Sequence, residues 1–142
     1  MSNLNRFFKQ NKVKKENGKY APTVSLTDEN GKPLEWEFKH ITTKEDEELR
    51  DKHTKDIPIP GKPGMYRQKL DTSGYIADMI CSCTVYPDLF NTELQDSYGV
   101  KKPEDLLTAM VDNPGEYQDF QLWIQAFQGF KPISEKVDDA KN

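Results

Sequence analysis

Residues 56–66, DIPIPGKPGMY, hold three prolines and two glycines, and the hydrophobic pattern differs on their two sides. Proline lacks the amide that a helix interior or central strand needs, and it fixes its own φ. A stretch this rich in breakers reads as a loop that separates two structural units. Before it, in LEWEFKHI, Leu34, Trp36 and Phe38 share one face while Glu35, Glu37 and Lys39 share the other. After it, Tyr75, Ile76, Met79, Ile80 and Cys83 recur at i, i+1, i+4, i+5 and i+8, one stripe of a helix. A strand period followed by a helix period points to the α+β class.

YAPTVSL and LEWEFKHI are the strand candidates, with Asn30-Gly31 between them as a hairpin turn signal. The hairpin is expected across roughly residues 20–41, with Trp36 and Phe38 turned inward, because a lone two-stranded ribbon is marginal in water. ITTKEDEELRDKHT follows as a helix capped by Thr42 or Thr43, acidic in its first turn and basic in its last. Its one strong apolar residue is Leu49, so it belongs on the surface. The pattern turns helical from Tyr66 to Val85, and Pro87 ends it. TELQDSYGV is a short helix closed by Gly99, and KKPEDLLTAMV starts at Pro103 and buries Leu106, Leu107 and Met110. The last helix is capped by Asn113, starts at Pro114 and ends at Gly129, with Tyr117, Phe120, Ile124 and Phe127 as its stripe.

The expected architecture is an antiparallel hairpin packed on a C-terminal bundle of about four helices. It divides into a basic arm (1–19), a single α+β domain (20–130) and a flexible tail (131–142). Within the domain, 20–53 is hairpin plus surface helix, 54–65 the proline and glycine loop, and 66–130 the helical part. Asn3 to Asn11 can form one or two helical turns in the arm, with Phe7 and Phe8 as an apolar anchor.

The formal net charge of −4 is unevenly spread. Arg6, Lys9, Lys12, Lys14, Lys15 and Lys19 face Glu16 alone, so residues 1–20 carry +5 and the remainder −9. A basic arm on an acidic body can bind nucleic acid or serve as a solubilising tail. Few arginines and no repeat favour the tail. No apolar run approaches the ~20 residues needed to span a bilayer, and the start resembles no signal peptide. A cytoplasmic protein with reduced thiols is expected.

Cys81 and Cys83, in CSCTVYPDLF, raise the question of a metal or redox site. Residues two apart on a helix point about 200° apart, so the pair cannot clasp one ion. A structural zinc site needs about four ligands, and His40 and His53 lie far upstream without a paired spacing. The stretch reads as the buried end of a helix, left through a Tyr86-Pro87-Asp88 turn. There is no Gly-rich phosphate loop, no H-E-x-x-H and no G-x-S-x-G, and KEDEELRD reads as a solvated face. Neither an enzyme nor a cofactor nor a metal is expected.

The second half carries a distinctive order of words. VYPDLFNTELQDSYGV is followed by PEDLLTAM, then NPGEY, then a helix ending in GF. This resembles the XkdN-like family of phage tail assembly chaperones, at Tyr86–Leu89, Leu94–Gly99, Leu106–Met110 and Pro114–Tyr117. KEDEELR after a charged hairpin is similar too, so the resemblance spans about residues 20–130. It implies a non-enzymatic factor that coats the tape measure protein before the tail tube polymerises, and is absent from the virion. It also implies, in many tailed phages, a frameshifted longer form that recruits the tail tube protein. Homo-oligomerisation is left open. Tyr98 and Tyr117, each able to pack a ring while its hydroxyl meets a partner, are the candidate partner-binding residues. The alternative is a nucleic-acid or regulatory module that uses the basic arm.

Overall fold

The hydrophobic stripe after the proline-rich stretch becomes helix α2 (Thr72–Cys83) of the computed structural model, which describes residues 3–131. Asp71 caps it by accepting from the Gly74 amide at 3.2 Å. Tyr75, Ile76, Met79, Ile80, Cys81 and Cys83 are all buried, so nearly the whole circumference is apolar. A helix that is apolar all round belongs in the centre. Accordingly α1 (Thr43–Lys52), α4 (Pro103–Met110) and α5 (Pro114–Phe127) pack around α2, and α3 (Thr92–Ser97) precedes α4. The α+β class and, among the described residues, the four helices after residue 66 follow the pattern of the sequence.

Strands β1 (Gly18–Tyr20) and β2 (Trp36–Phe38) form an antiparallel pair, with Tyr20 opposite Trp36 and Gly18 opposite Phe38. The first strand is thus not YAPTVSL, of which it holds only Tyr20, but begins at the end of the segment expected as the arm. Trp36 and Phe38 point into the core, their rings 5.6 Å and 5.5 Å from that of Phe120 on α5. The turn forms around Gly31, whose φ of 80° suits a residue without Cβ. Asp28 holds it by accepting from the amides of Asn30 and Lys32. Leu34 departs from the alternation and is exposed. It pairs with Leu26 in the loop between the strands, outside the register that carries Trp36 and Phe38 onto α5.

Three further expectations are corrected. The helix stops at Cys83 instead of continuing to Val85, and Thr84–Tyr86 becomes strand β5 on the free edge of β2. Thr84 and Val85 are β-branched and favour extended backbone, and the Lys39 amide donates to the Cys83 carbonyl at 2.9 Å. The Tyr86–Pro87 peptide bond that follows is cis. Residues 54–65, read as a loop, and 66–70, read as helix, form an antiparallel ribbon of β3 (Thr54–Pro58) and β4 (Tyr66–Leu70). Its breakers sit where they do no harm: Pro58 ends the ladder, and Pro60, Gly61, Pro63 and Gly64 make the tip. In the basic arm, two short 3-10 turns (Asn3–Phe7 and Lys9–Asn11) do form. Phe7 and Phe8, expected as an apolar anchor, are nevertheless both exposed, Phe7 at 83%. Apart from Lys131, the segment expected as a tail lies outside the described residues.

Candidate functional site

Chemistry, if present, would rest on the buried polar groups. Cys81 and Cys83 are buried free thiols, and burial pushes both up, Cys83 to about 12. A thiol held protonated is a poor nucleophile and a poor ligand. Asp78 is buried on α2 and gathers three partners. His53 Nε2 lies 2.8 Å and Lys52 Nζ 2.9 Å from its Oδ2, and Ser82 Oγ donates to its Oδ1 at 3.3 Å. Burial alone would raise the Asp78 pKa, but the Lys52 and His53 hydrogen bonds together leave it lowered. The serine bonds the carboxylate and not the imidazole, so this is not a nucleophile–base relay.

The Asp78 cluster fastens the end of α1 to α2. Gly74 leaves room for it, because a Cβ there would come within 3.0 Å of His53 Nδ1. A second fastening lies nearby: Tyr75 donates its hydroxyl to Asp46, which also accepts from Arg50 at 3.0 Å. Sequence reasoning missed both joints. The available signal was one charged residue, Asp78, amid the apolar stripe of α2.

The two candidate tyrosines sit on different elements. Tyr117 lies in the first turns of α5, half-buried against the core, and burial raises its pKa. In the PGEY word around it, Pro114 and Gly115 are exposed while Glu116 and Tyr117 are half-buried. Asn113 caps α5 by accepting from the Glu116 amide at 3.0 Å, and Pro114 occupies the first helical turn. The Glu116 carboxylate accepts from Thr23 Oγ1 and from the Val24 amide, both at 2.8 Å, so it ties the β1–β2 connection to α5. Tyr98 caps the end of α3 and is 36% exposed. The next residue, Gly99, has φ 69°, and the Val100 amide returns to the Gln95 carbonyl, a left-handed helix exit.

The VYPDLF word faces outward. Leu89 is fully buried, and its carbonyl accepts from the Gln95 side chain at 2.9 Å. Asp88 turns the chain by accepting from the Phe90 amide at 3.0 Å, and Asn91 caps α3. With Leu89 driven inward, its neighbours are left outside: Tyr86 is 70% and Phe90 60% exposed, and Val85 is exposed as well. β5 is also an edge strand, so one side of its backbone is unpaired within its sheet.

Two grooves also lie on the surface. One, of about 720 Å³, is lined by Tyr20, Leu122, Trp123, Ala126 and Phe130, beside a continuous stack of Tyr20, Trp123, Phe127 and His40. The other, of about 560 Å³, gathers Lys9, Lys12, Lys14, Lys15 and Lys39. Among the described residues, no group of three His, Cys, Asp or Glu is placed to hold a metal ion. Among them, no helix is long and apolar enough to cross a membrane.

Comparison with known proteins places this arrangement. The chain is similar to the phage-like element PBSX protein XkdN of Bacillus subtilis (strain 168), 24% identical over 140 residues, which is 98% of this chain and 93% of that one. It is also similar to the uncharacterised protein YqbN of the same strain, 25% identical over 115 residues, 81% of this chain and 76% of that one. The crystal structure of YqbN superimposes with a TM-score of 0.76 at 22% identity, covering 92% of this chain and 99% of that chain, so the two share a fold. A family described as phage XkdN-like tail assembly chaperone protein matches residues 4–141. The chain belongs to the XkdN-like family of phage tail assembly chaperones.

Proposed function

We propose that this chaperone binds the tape measure protein in the host cytoplasm during tail assembly, without catalysis. The observation that supports this reading is the outward surface of Tyr86, Phe90 and Tyr98 along the words shared with the family. A tape measure protein is a long helical rod, and its apolar stripe needs an apolar counterpart. Aromatic side chains supply contact area at little conformational cost. Leu89 and the Asx turn of Asp88 hold their backbone in place beforehand, which reduces the ordering needed on binding. Recruitment of the tail tube protein would fall to a longer, frameshifted form of the chain.

The test is co-purification with the tape measure protein. Exchange of Tyr86 and Phe90 for serine should weaken capture by about tenfold or more, while the melting temperature barely moves. Tyr98→Ala should weaken it less. Normal capture by all these variants would place the client surface elsewhere. The lysine groove favours a second reading, binding of nucleic acid through the arm. Deleting residues 1–15, which spares β1, separates the two: client capture persists under the first reading, and salt-sensitive oligonucleotide binding disappears under the second.

A further inference from the structure

We propose that the cationic face of the β3–β4 ribbon docks onto the exposed carboxylates of α1 in a second copy of this chain. Cross-strand partners share a face, and so do residues two apart on a strand. Lys55 stands opposite Lys69, and Ile57 stands opposite Arg67. Lys55, Arg67 and Lys69 are therefore on one face, around Ile57, and all three are exposed. Like charges directly opposed destabilise a ladder. The ion pairs formed among the described residues join Arg50 to Asp46, and Lys52 and His53 to Asp78, and use none of these three. Asp56, the carboxylate of the ribbon, points to the other face.

The counter-charge is present on α1. Glu45 completes the capping box with Thr42, and Asp46 serves Tyr75 and Arg50. Glu47, Glu48 and Asp51 remain, exposed and spaced i, i+1 and i+4, so that they repel one another. His53 alone separates α1 from β3, and Thr54 Oγ1 donates to the Arg50 carbonyl at 2.6 Å. Two complementary patches side by side on one molecule satisfy each other across a two-fold axis, each ribbon meeting its partner's helix in the same closed contact. A nucleic acid would bring its phosphates against those same carboxylates. The second copy is the occupant that neutralises both patches.

Sedimentation of the full chain at low and high salt tests this. A concentration-dependent dimer that weakens as salt is raised is expected. Lys55→Glu with Lys69→Glu, and separately Glu47→Lys with Glu48→Lys, should each weaken dimerisation about tenfold or more. Mixing the two reversed proteins should restore it, since each then offers the charge the other lacks. Lys69→Glu alone sets a carboxylate opposite Lys55. In the isolated molecule that steadies the ribbon, so lost association with undiminished stability marks the contact as intermolecular. A monomer at every concentration, association indifferent to salt, or failure of the mixture to recover would overturn the proposal. So would ribbon variants that dimerise normally and lose only a single-stranded oligonucleotide.

Discussion

The protein builds two antiparallel ribbons by different means. β1 and β2 pair over three residues each, and β3 and β4 over five. The shorter ladder is the one with a buried face: Trp36 and Phe38 meet Phe120, and β5 adds a third strand. The longer ladder is exposed along most of both strands and sets lysine against lysine. Backbone hydrogen bonds are thus not what attaches a ribbon to this body. Apolar area is, because a ladder bond largely replaces a bond to water while buried rings leave water altogether.

The comparison breaks first at Phe38. Its ring lies 5.5 Å from Phe120 and 5.1 Å from Trp123, and the residue is fully buried. Phe38→Ala should cost about 3–5 kcal/mol in chemical denaturation, the usual range for removing a core aromatic. A loss under about 1 kcal/mol would mean that β2 is not the strand the core depends on.

The next effect concerns how the exposed ribbon is held at its base, where Asp78 binds Lys52 and His53, and the Asp71 amide donates to the His53 carbonyl. The Asp78 pKa is lowered in the fold. Its contribution is therefore complete above the unfolded carboxylate value of about 4, and is lost as pH falls through the folded value. Acid should release the base of the ribbon before the β1–β2 sheet, read as faster amide exchange at Asp71 than at β2. Asp78→Asn should cost about 1–3 kcal/mol at neutral pH and flatten the acid limb. An unchanged acid limb in that variant would detach Asp78 from the ribbon.

The same contrast explains what was legible in the sequence. In the first ribbon β2 announced itself because its burial writes an alternation around Trp36 and Phe38, whereas β1, three residues long, wrote none and was sought in YAPTVSL. The second is exposed along most of both strands, with Leu70 packed on the core only at its base, so it wrote no alternation, and its prolines suggested loop although they cluster towards the tip. β5 was hidden because only three residues separate the helix end from Pro87. At the candidate surface, the words were visible but not their direction. PGEY turned out to clamp residues 23–24 through Glu116, while VYPDLF turned its rings outward. Such directions are set by long-range contacts, which no local spacing records.

The smallest expected effect falls on the face of the second ribbon that carries no cations. Tyr66 pairs with Pro58 at the end of the ladder and is 62% exposed. Its ring covers no core residue in the way that Phe38 does. Tyr66→Ala should change stability by no more than about 0.5 kcal/mol, as for other surface positions. It should also leave self-association intact, because Lys55, Arg67 and Lys69 lie on the opposite face. A cost above about 1 kcal/mol would show that this face packs as the first ribbon does, and the difference between the two would collapse. Lost dimerisation at unchanged stability would instead move the self-docking surface across the ribbon, from its cations to its aromatic side.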